Sequence, residues 1–222
     1  GKKTVVFGAW DGWCYGFAPE GKEDADGFKI LPERWKVDVC PKEYRFDENG
    51  DKIKYATYPG PSEIISSPVI YNDKVYAVIG QDPEHGEGVG ALTCIDPSKG
   101  SGEKAIAWQF KDIGRSISSP SIVDGLVYIA DYSGRIYCLD AETGELYWEH
   151  DTLSHIWGST LVADGKVYLG NEDGELVILK TGKKKEEIAT VEFPNPILST
   201  PVVANGVLYI MTQSHLYAYQ QP

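Results

Sequence analysis

The side chains best suited to bind a polar ligand stand at one repeated position of the sequence. Glu63, Arg115 and His155 occupy that position, each just ahead of a similar short segment. A carboxylate, a guanidinium and an imidazole that converge on one opening can form charge-assisted hydrogen bonds to a ligand. Ser116 and Trp157 are close enough in sequence to join them. The sequence therefore predicts a ligand-binding site made of these five residues, at the mouth of a central channel.

A structural interpretation of the same residues stays open. In it the charged groups are separately solvated, or Glu63 and Arg115 form an ion pair between neighbouring repeats. The two interpretations differ in the effect of replacing Arg115 by Ala. Loss of a ligand contact weakens binding, whereas loss of an ion pair chiefly lowers the stability of the fold.

A second candidate site lies in the loop at 81–90, which contains Asp82, Glu84, His85 and Glu87. These are ligand types for a divalent cation, but their spacing matches neither the EF-hand pattern nor a site with several histidines. A solvated acidic loop is the preferred interpretation. The pairs of serine and histidine in the chain lack an orienting acid at a recognisable position, so a catalytic triad is not expected.

A repeat positions these residues. Each copy has a small polar opening, a short apolar run, a two-residue polar turn and a run containing Val-Tyr or Leu-Tyr. Four openings stand at 64–68, 116–120, 156–160 and 197–201, and a copy without an opening begins at Thr4. Turns such as Asp124-Gly125 tolerate the positive φ of a type I′ hairpin. Each copy is therefore predicted to fold as a four-stranded antiparallel meander with the dimensions of a propeller blade.

The copies predict an all-β fold, a β-propeller of four-stranded antiparallel blades with about five repeat units. One domain spans 1–222. Its units are 3–40, 63–113, 115–152, 155–193 and 196–220. The first unit lacks strand one and the fifth lacks strand four. We expect either a segment of a larger propeller with seven or eight blades, or a small ring.

The segment CLDAETGELYW at 138–148 resembles the tryptophan-docking motif of PQQ-like (quinoprotein-type) β-propellers. Partial copies lead to Trp35 and Trp108, while the fourth copy keeps Thr181 and Gly182 without a tryptophan after them. The resemblance implies that the Trp of each motif packs between neighbouring blades. It is closest to uncharacterised planctomycete-type propeller proteins and to the propeller lipoprotein of the outer-membrane barrel-assembly machinery.

The resemblance also bears on cofactors. Dehydrogenases of the family hold PQQ with calcium, use a catalytic Asp and, in the alcohol enzymes, carry a disulfide between adjacent cysteines. This sequence has no adjacent cysteine pair and no match to the calcium ligand set. Trp157 could form a floor under a planar ring, but no catalytic residue is identified. We therefore expect neither PQQ nor calcium.

The predicted function is a non-catalytic propeller scaffold that binds a protein or glycan partner. Two alternatives stay open, a fragment of a PQQ-dependent quinoprotein oxidoreductase and a sensor domain of a larger signalling protein. Neighbouring blades or a fused domain are further possible partners. The resemblance implies a location outside the cytoplasm, in the periplasm or secreted.

Composition narrows the class of partner. The net charge of −12 and the lack of a face rich in Lys and Arg argue against nucleic acid, because phosphate binding needs clustered cations. No apolar run reaches about 18 residues, so no membrane span is expected. The four cysteines are predicted to be buried and unbridged: Cys14, Cys40, Cys94 and Cys138.

Overall fold

The computed structural model of the chain describes residues 3–54, 63–80 and 88–220. The chain divides into two compact units, an N-terminal unit at 1–112 and a C-terminal unit at 113–222. Antiparallel sheets dominate both units, and each sheet of three or four strands corresponds to one copy of the sequence repeat.

The N-terminal unit contains the first and second sheets. The first sheet has the order β1-β2-β5, formed by β1 (Val5–Gly8), β2 (Trp13–Phe17) and β5 (Glu33–Asp38). A separate hairpin interrupts it between β2 and β5, formed by β3 (Lys22–Glu23) and β4 (Lys29–Ile30). The four-residue helix α1 (Lys42–Arg45) follows β5. The second sheet has four strands in chain order, β6 (Val69–Tyr71), β7 (Lys74–Ile79), β8 (Ala91–Ile95) and β9 (Ile106–Phe110).

The C-terminal unit contains the third, fourth and fifth sheets, again with strands in chain order. The third is β10 (Ser121–Val123), β11 (Leu126–Ala130), β12 (Arg135–Asp140) and β13 (Leu146–Asp151). The fourth is β14 (Leu161–Ala163), β15 (Lys166–Gly170), β16 (Glu175–Lys180) and β17 (Glu187–Glu192). The fifth is β18 (Val202–Ala204), β19 (Val207–Met211) and β20 (Leu216–Gln220). These sheets confirm the predicted antiparallel meanders.

The first hairpin turn forms as its residues predict in the four copies that contain a first strand. In the third sheet Asp124 and Gly125 have φ values of 49° and 77°, and the same left-handed conformation recurs at Asn72 and Asp73. Both central residues of a type I′ turn need positive φ, which Asn, Asp and Gly adopt at low cost. The turn therefore fixes the register of the first two strands.

A tryptophan on the fourth strand of a meander faces a small residue on the third. The paired residues are Gly16 with Trp35, Cys94 with Trp108, and Cys138 with Trp148. In the first pair a Cβ on Gly16 would lie 2.1 Å from Cε2 of Trp35, so the indole occupies the space that any side chain would need. The fourth sheet reverses the sizes, with Ile178 opposite Ala189. In these four sheets, one large and one small residue therefore face each other at this pair of positions.

Trp148 ties the third sheet to the fourth. Its indole N–H donates a 2.8 Å hydrogen bond to the carbonyl of Gly182, in the turn between β16 and β17. The N–H of Gly182 donates in turn to the hydroxyl of Tyr128, whose ring centroid is 5.9 Å from that of Trp148. Trp148 is 7% exposed and Trp35 is also buried, whereas Trp108 is partly exposed against Tyr76.

The small polar openings link successive sheets of the C-terminal unit. The N–H of Ser119 donates to the hydroxyl of Ser159 over 2.9 Å, and the N–H of Ser159 donates to the hydroxyl of Thr200 over 2.8 Å. The hydroxyl of Ser118 donates to the carbonyl of Gly158. Hydroxyl side chains recur in the openings because they satisfy backbone groups that no strand pairs with.

The four cysteines are unbridged and buried in the sheets. Burial raises the pKa of the Cys14 and Cys138 thiols to about 12, because the charged thiolate loses its hydration there. The thiols therefore act as small apolar groups.

Candidate functional site

The repeated position chosen from the sequence has one backbone environment in four copies. The carbonyl of the residue before each opening accepts a hydrogen bond from an N–H one or two residues beyond the end of the second strand. The pairs are Glu63 with Gly80, Arg115 with Tyr132, His155 with Glu172 and Pro196 with Gln213, at 2.6, 2.7, 2.9 and 3.0 Å. Since the backbone alone makes this bond, the fold accepts different side chains here.

The side chains at this position differ in burial. Arg115 is 2% exposed and Glu63 is 5% exposed, whereas His155 is exposed. Ser116 is fully buried, and its hydroxyl donates to the carbonyl of Ala130 over 2.6 Å. Ser116 is thus committed to the fold. Glu63 belongs to the N-terminal unit and the other candidates to the C-terminal unit, so its convergence with them stays a prediction.

Two of the predicted residues, His155 and Trp157, meet two that the sequence reasoning missed, Tyr132 and Glu172. We call these four residues the Tyr132 cluster. The ring of Tyr132 lies 4.5 Å from that of His155 at an interplanar angle of 32°. The indole of Trp157 stands nearly perpendicular to Tyr132, at 88° with a centroid separation of 5.4 Å.

The carboxylate of Glu172 joins the two predicted residues of the cluster. Its Oε2 accepts a hydrogen bond from Nε1 of Trp157 over 3.4 Å and lies 3.5 Å from Nδ1 of His155. Both contacts use the same oxygen. His155 and Glu172 are exposed, while Tyr132 and Trp157 are half-buried. The cluster therefore presents aromatic surface and a carboxylate to solvent.

Rigid turns after the second strands position Tyr132 and Glu172. Ahead of Tyr132, the buried Asp131 accepts hydrogen bonds from the hydroxyl of Tyr137 over 2.7 Å and from the N–H of Arg135 over 3.2 Å. Ahead of Glu172, Asn171 accepts from the N–H of Glu175 over 2.9 Å. Short polar side chains that bind the backbone in this way hold a tight turn.

A signal for the missed residues is present in the sequence. Tyr132 and Glu172 share a repeated position, which Gly80 and Gln213 occupy in other copies. The residue type at this second position differs in every copy, as it does at the position of His155. The register that brings the two positions together is, however, a property of the folded sheets.

The Tyr132 cluster contains aromatic rings and a carboxylate that can contact a ligand, but its four residues include no serine or cysteine placed beside the histidine as a nucleophile. Elsewhere, Ser214 Oγ lies 2.8 Å from Nδ1 of His215 and its hydroxyl also contacts Oδ1 of Asn195. Within the described ranges, no carboxylate pairs with the His215 imidazole. A serine whose hydroxyl contacts an amide oxygen, beside a histidine without an orienting acid, does not make a triad.

The second candidate site cannot be placed. Asp82, Glu84, His85 and Glu87 lie outside the described residues. Among residues 3–54, 63–80 and 88–220, no group of three or more His, Cys, Asp or Glu side chains could hold a metal ion. Over the same ranges, no helix combines the length and apolar character that crossing a membrane requires.

The Tyr132 cluster does not fit a calcium–quinone site. Calcium takes six to eight oxygen ligands. The carboxylate beside Trp157 belongs to Glu172. Its Oε2 already accepts a hydrogen bond from the indole N–H and lies close to Nδ1 of His155. The Trp157 indole is also in perpendicular contact with the Tyr132 ring. We therefore derive no reaction through a quinone at this cluster.

Comparisons with known proteins agree with the sheet architecture. A family model described as outer membrane protein assembly factor BamB matches residues 89–187. The BamB of Nitrosomonas eutropha is 28% identical over 107 residues, which are 47% of this chain and 26% of that protein. The quinohemoprotein alcohol dehydrogenase ADH-IIG of Pseudomonas putida is 32% identical over 127 residues, which are 49% of this chain and 18% of the enzyme.

The crystal structure of BamB from Moraxella catarrhalis superposes with a TM-score of 0.69 at 16% sequence identity. The superposition covers 97% of this chain and 55% of that structure. The chain thus spans about half of the BamB structure, and its matches span smaller parts of the sequence relatives. At this identity the likeness shows the fold. The fold is therefore that of a β-propeller, and residues 89–187 are similar to the family described as outer membrane protein assembly factor BamB.

Proposed function

We propose that the chain is a non-catalytic propeller scaffold that binds a protein partner outside the cytoplasm, with the Tyr132 cluster as a contact site. The observation that carries the proposal is the repeated position of His155. Its backbone makes the same hydrogen bond in four copies, yet its side chain changes. A position that the fold does not constrain, on a rigid scaffold, is available for recognition.

The comparisons support the scaffold and the compartment. The matched family and several relatives are outer membrane protein assembly factors by name. A role in assembly at the outer membrane is consistent with a protein partner and with a location in the periplasm. The hydrogen bond from Trp148 to Gly182 suits such a scaffold, because it links two neighbouring sheets.

Three alternatives to a protein-binding scaffold are an oxidoreductase fragment, a glycan-binding protein and a sensor domain. The identity to a quinohemoprotein dehydrogenase favours an oxidoreductase fragment, although the Tyr132 cluster does not fit calcium. Aromatic surface beside a carboxylate also suits a glycan, since sugar rings stack on indole faces and their hydroxyls donate to carboxylates. A sensor domain of a larger signalling protein would use the same surface.

Site-directed photo-crosslinking tests the proposal. A benzophenone amino acid replaces Asp173, an exposed residue beside the cluster and not part of it, in three proteins: the wild type, Trp157→Ala and the control Trp10→Ala. Trp10 is 76% exposed and lies in the N-terminal unit. Each protein is exported to the periplasm of a Gram-negative host. We expect one cross-linked protein band in the wild type and the control, and its loss in Trp157→Ala.

The contrary results are equally specific. Bands that are identical in all three proteins would show that the cluster is not the contact site. No cross-linked band, together with a rise in melting temperature on addition of PQQ and calcium, would replace the scaffold by the oxidoreductase alternative, since a ligand stabilises the state that binds it.

A further inference from the structure

We propose that the Tyr132 cluster accepts a cationic side chain, a lysine or an arginine, of the partner protein. This inference rests on the proposed function, because it names the chemical group by which that partner is recognised. Three features of the cluster carry it: two aromatic rings set at a right angle, a carboxylate at their edge, and the negative charge of the chain.

The aromatic rings form two walls of a corner. Trp157 and Tyr132 meet at 88° with their centroids 5.4 Å apart. A cation is attracted to the face of an indole or phenol within about 6 Å of its centroid, because the ring quadrupole is negative there. In a corner of this size, one cation can lie within that distance of both rings.

The carboxylate completes the recognition of positive charge. Glu172 Oε2 is already engaged by the Trp157 indole and lies near His155, which fixes the carboxylate beside the aromatic corner. In the described part of the chain, Oε1 of Glu172 has no hydrogen bond or ion pair. That oxygen can accept a hydrogen bond from an ammonium or guanidinium group held over the indole.

The charge of the protein favours the same occupant. The chain carries a net charge of −12, and Asp173 is an exposed neighbour of Glu172. A negative field raises the rate at which a cationic partner arrives and disfavours an anionic one. A neutral sugar gains nothing from this field.

The test compares two peptides that differ in charge at one side chain. A short glycine peptide with a central lysine is titrated into the protein, and so is the same peptide with uncharged norleucine in that place. The nuclear magnetic resonance signal of the Trp157 indole N–H, assigned by its loss in Trp157→Phe, reports binding at the cluster. We expect the lysine peptide to bind about threefold to a hundredfold more tightly, the combined range for a cation–π contact and an exposed ion pair.

A matched pair of variants separates local recognition from overall charge. Glu172→Gln and Asp173→Asn each remove one negative charge at adjacent residues. We expect Glu172→Gln to abolish most of the preference for lysine and Asp173→Asn to leave it within about twofold, since exposed charges that make no contact are screened by salt. Equal loss in both variants would overturn the inference, because only long-range charge would then be at work.

Two further outcomes decide the occupant. Equal binding of the lysine and norleucine peptides would overturn a cationic site. A shift of the Trp157 signal by a chitin trisaccharide, with none by the lysine peptide, would assign the cluster to a glycan instead. A lysine preference without any cross-linked protein would support the cation site while contradicting the partner proposal. A cross-linked protein with equal peptide binding would do the reverse.

Discussion

Replacement of Trp148 by Ala is expected to be among the most destabilising single changes in the C-terminal unit. The indole is 7% exposed, packs against the ring of Tyr128 and donates a 2.8 Å hydrogen bond to the carbonyl of Gly182. The substitution removes the apolar contact and the hydrogen bond together. It also leaves space beside Cys138, the small residue that faces Trp148 across the sheet.

The size of the effect follows from these contacts. Truncation of a buried aromatic side chain to Ala costs about 3–5 kcal/mol in free energy of unfolding. Trp148→Phe keeps most of the ring contact but leaves the carbonyl of Gly182 without its donor, which costs about 1–3 kcal/mol if water cannot replace it. The Phe variant should therefore lie between the wild type and the Ala variant, and the difference separates packing from hydrogen bonding.

Urea unfolding followed by far-ultraviolet circular dichroism measures these changes, because the signal comes mainly from the backbone amides and not from the tryptophan that is removed. Trp10→Ala serves as the control, since Trp10 is 76% exposed and its loss should change the free energy by less than about 0.5 kcal/mol. A Trp148→Ala protein as stable as this control would refute the reasoning that Trp148 holds the third and fourth sheets together.

The fourth sheet suggests a compensating substitution. There the same pair of positions is Ile178 and Ala189, with the large side chain on the third strand. The double variant Cys138→Ile with Trp148→Ala copies this arrangement into the third sheet. We expect it to recover about 1–2 kcal/mol relative to Trp148→Ala, within the range of coupling energies for residues in contact. An additive double variant would contradict the idea that the pair shares one volume.

Two other substitutions have outcomes that the structure specifies. Tyr137→Phe should lower the free energy of unfolding by about 1.5–3 kcal/mol in urea, because the buried Asp131 carboxylate loses a 2.7 Å donor; an unchanged midpoint would mean that water replaces the hydroxyl. The raised pKa of Cys138, about 12, predicts alkaline destabilisation: the stability it confers is complete below the unfolded pKa near 9 and is lost as the pH rises towards 12. Between these values the unfolded chain binds fewer protons than the native one, so urea midpoints should fall with pH. Cys138→Ala should reduce that slope by about 1.4 kcal/mol per pH unit, and a slope equal to that of the wild type would contradict the buried thiol.

Features set by neighbouring residues in the chain are predictable from the sequence. Asp124 and Gly125 determine their hairpin because both accept positive φ, and the equivalent turns repeat that chemistry. The openings, turns and apolar runs together give the number and type of the sheets. Burial of the cysteines follows from the same reasoning, since each lies within or beside a predicted strand.

Features set by the packing between copies are not predictable in this way. Arg115 and His155 share a repeated position and a backbone hydrogen bond, yet one is buried and the other exposed. The difference in burial between the two side chains depends on which neighbouring side chains cover each of them. Tyr132 reaches His155 and Trp157 only because two turns from successive copies lie side by side. The hairpin β3–β4 lies between two strands of the first sheet, and the repeat pattern does not contain it.

The hydrogen bonds between openings have a consequence for the evolution of the chain. In the C-terminal unit, Ser159 offers its hydroxyl to the copy before it and its N–H to the copy after it, in bonds with Ser119 and Thr200 over separations of 40 and 41 residues. A tandem duplication of one whole copy therefore supplies both the N–H donor and the hydroxyl acceptor that connect it to its neighbours. A deletion of one whole copy likewise leaves matching ends. The gene can thus gain or lose a blade in a single recombination event, without a point mutation to repair the junction.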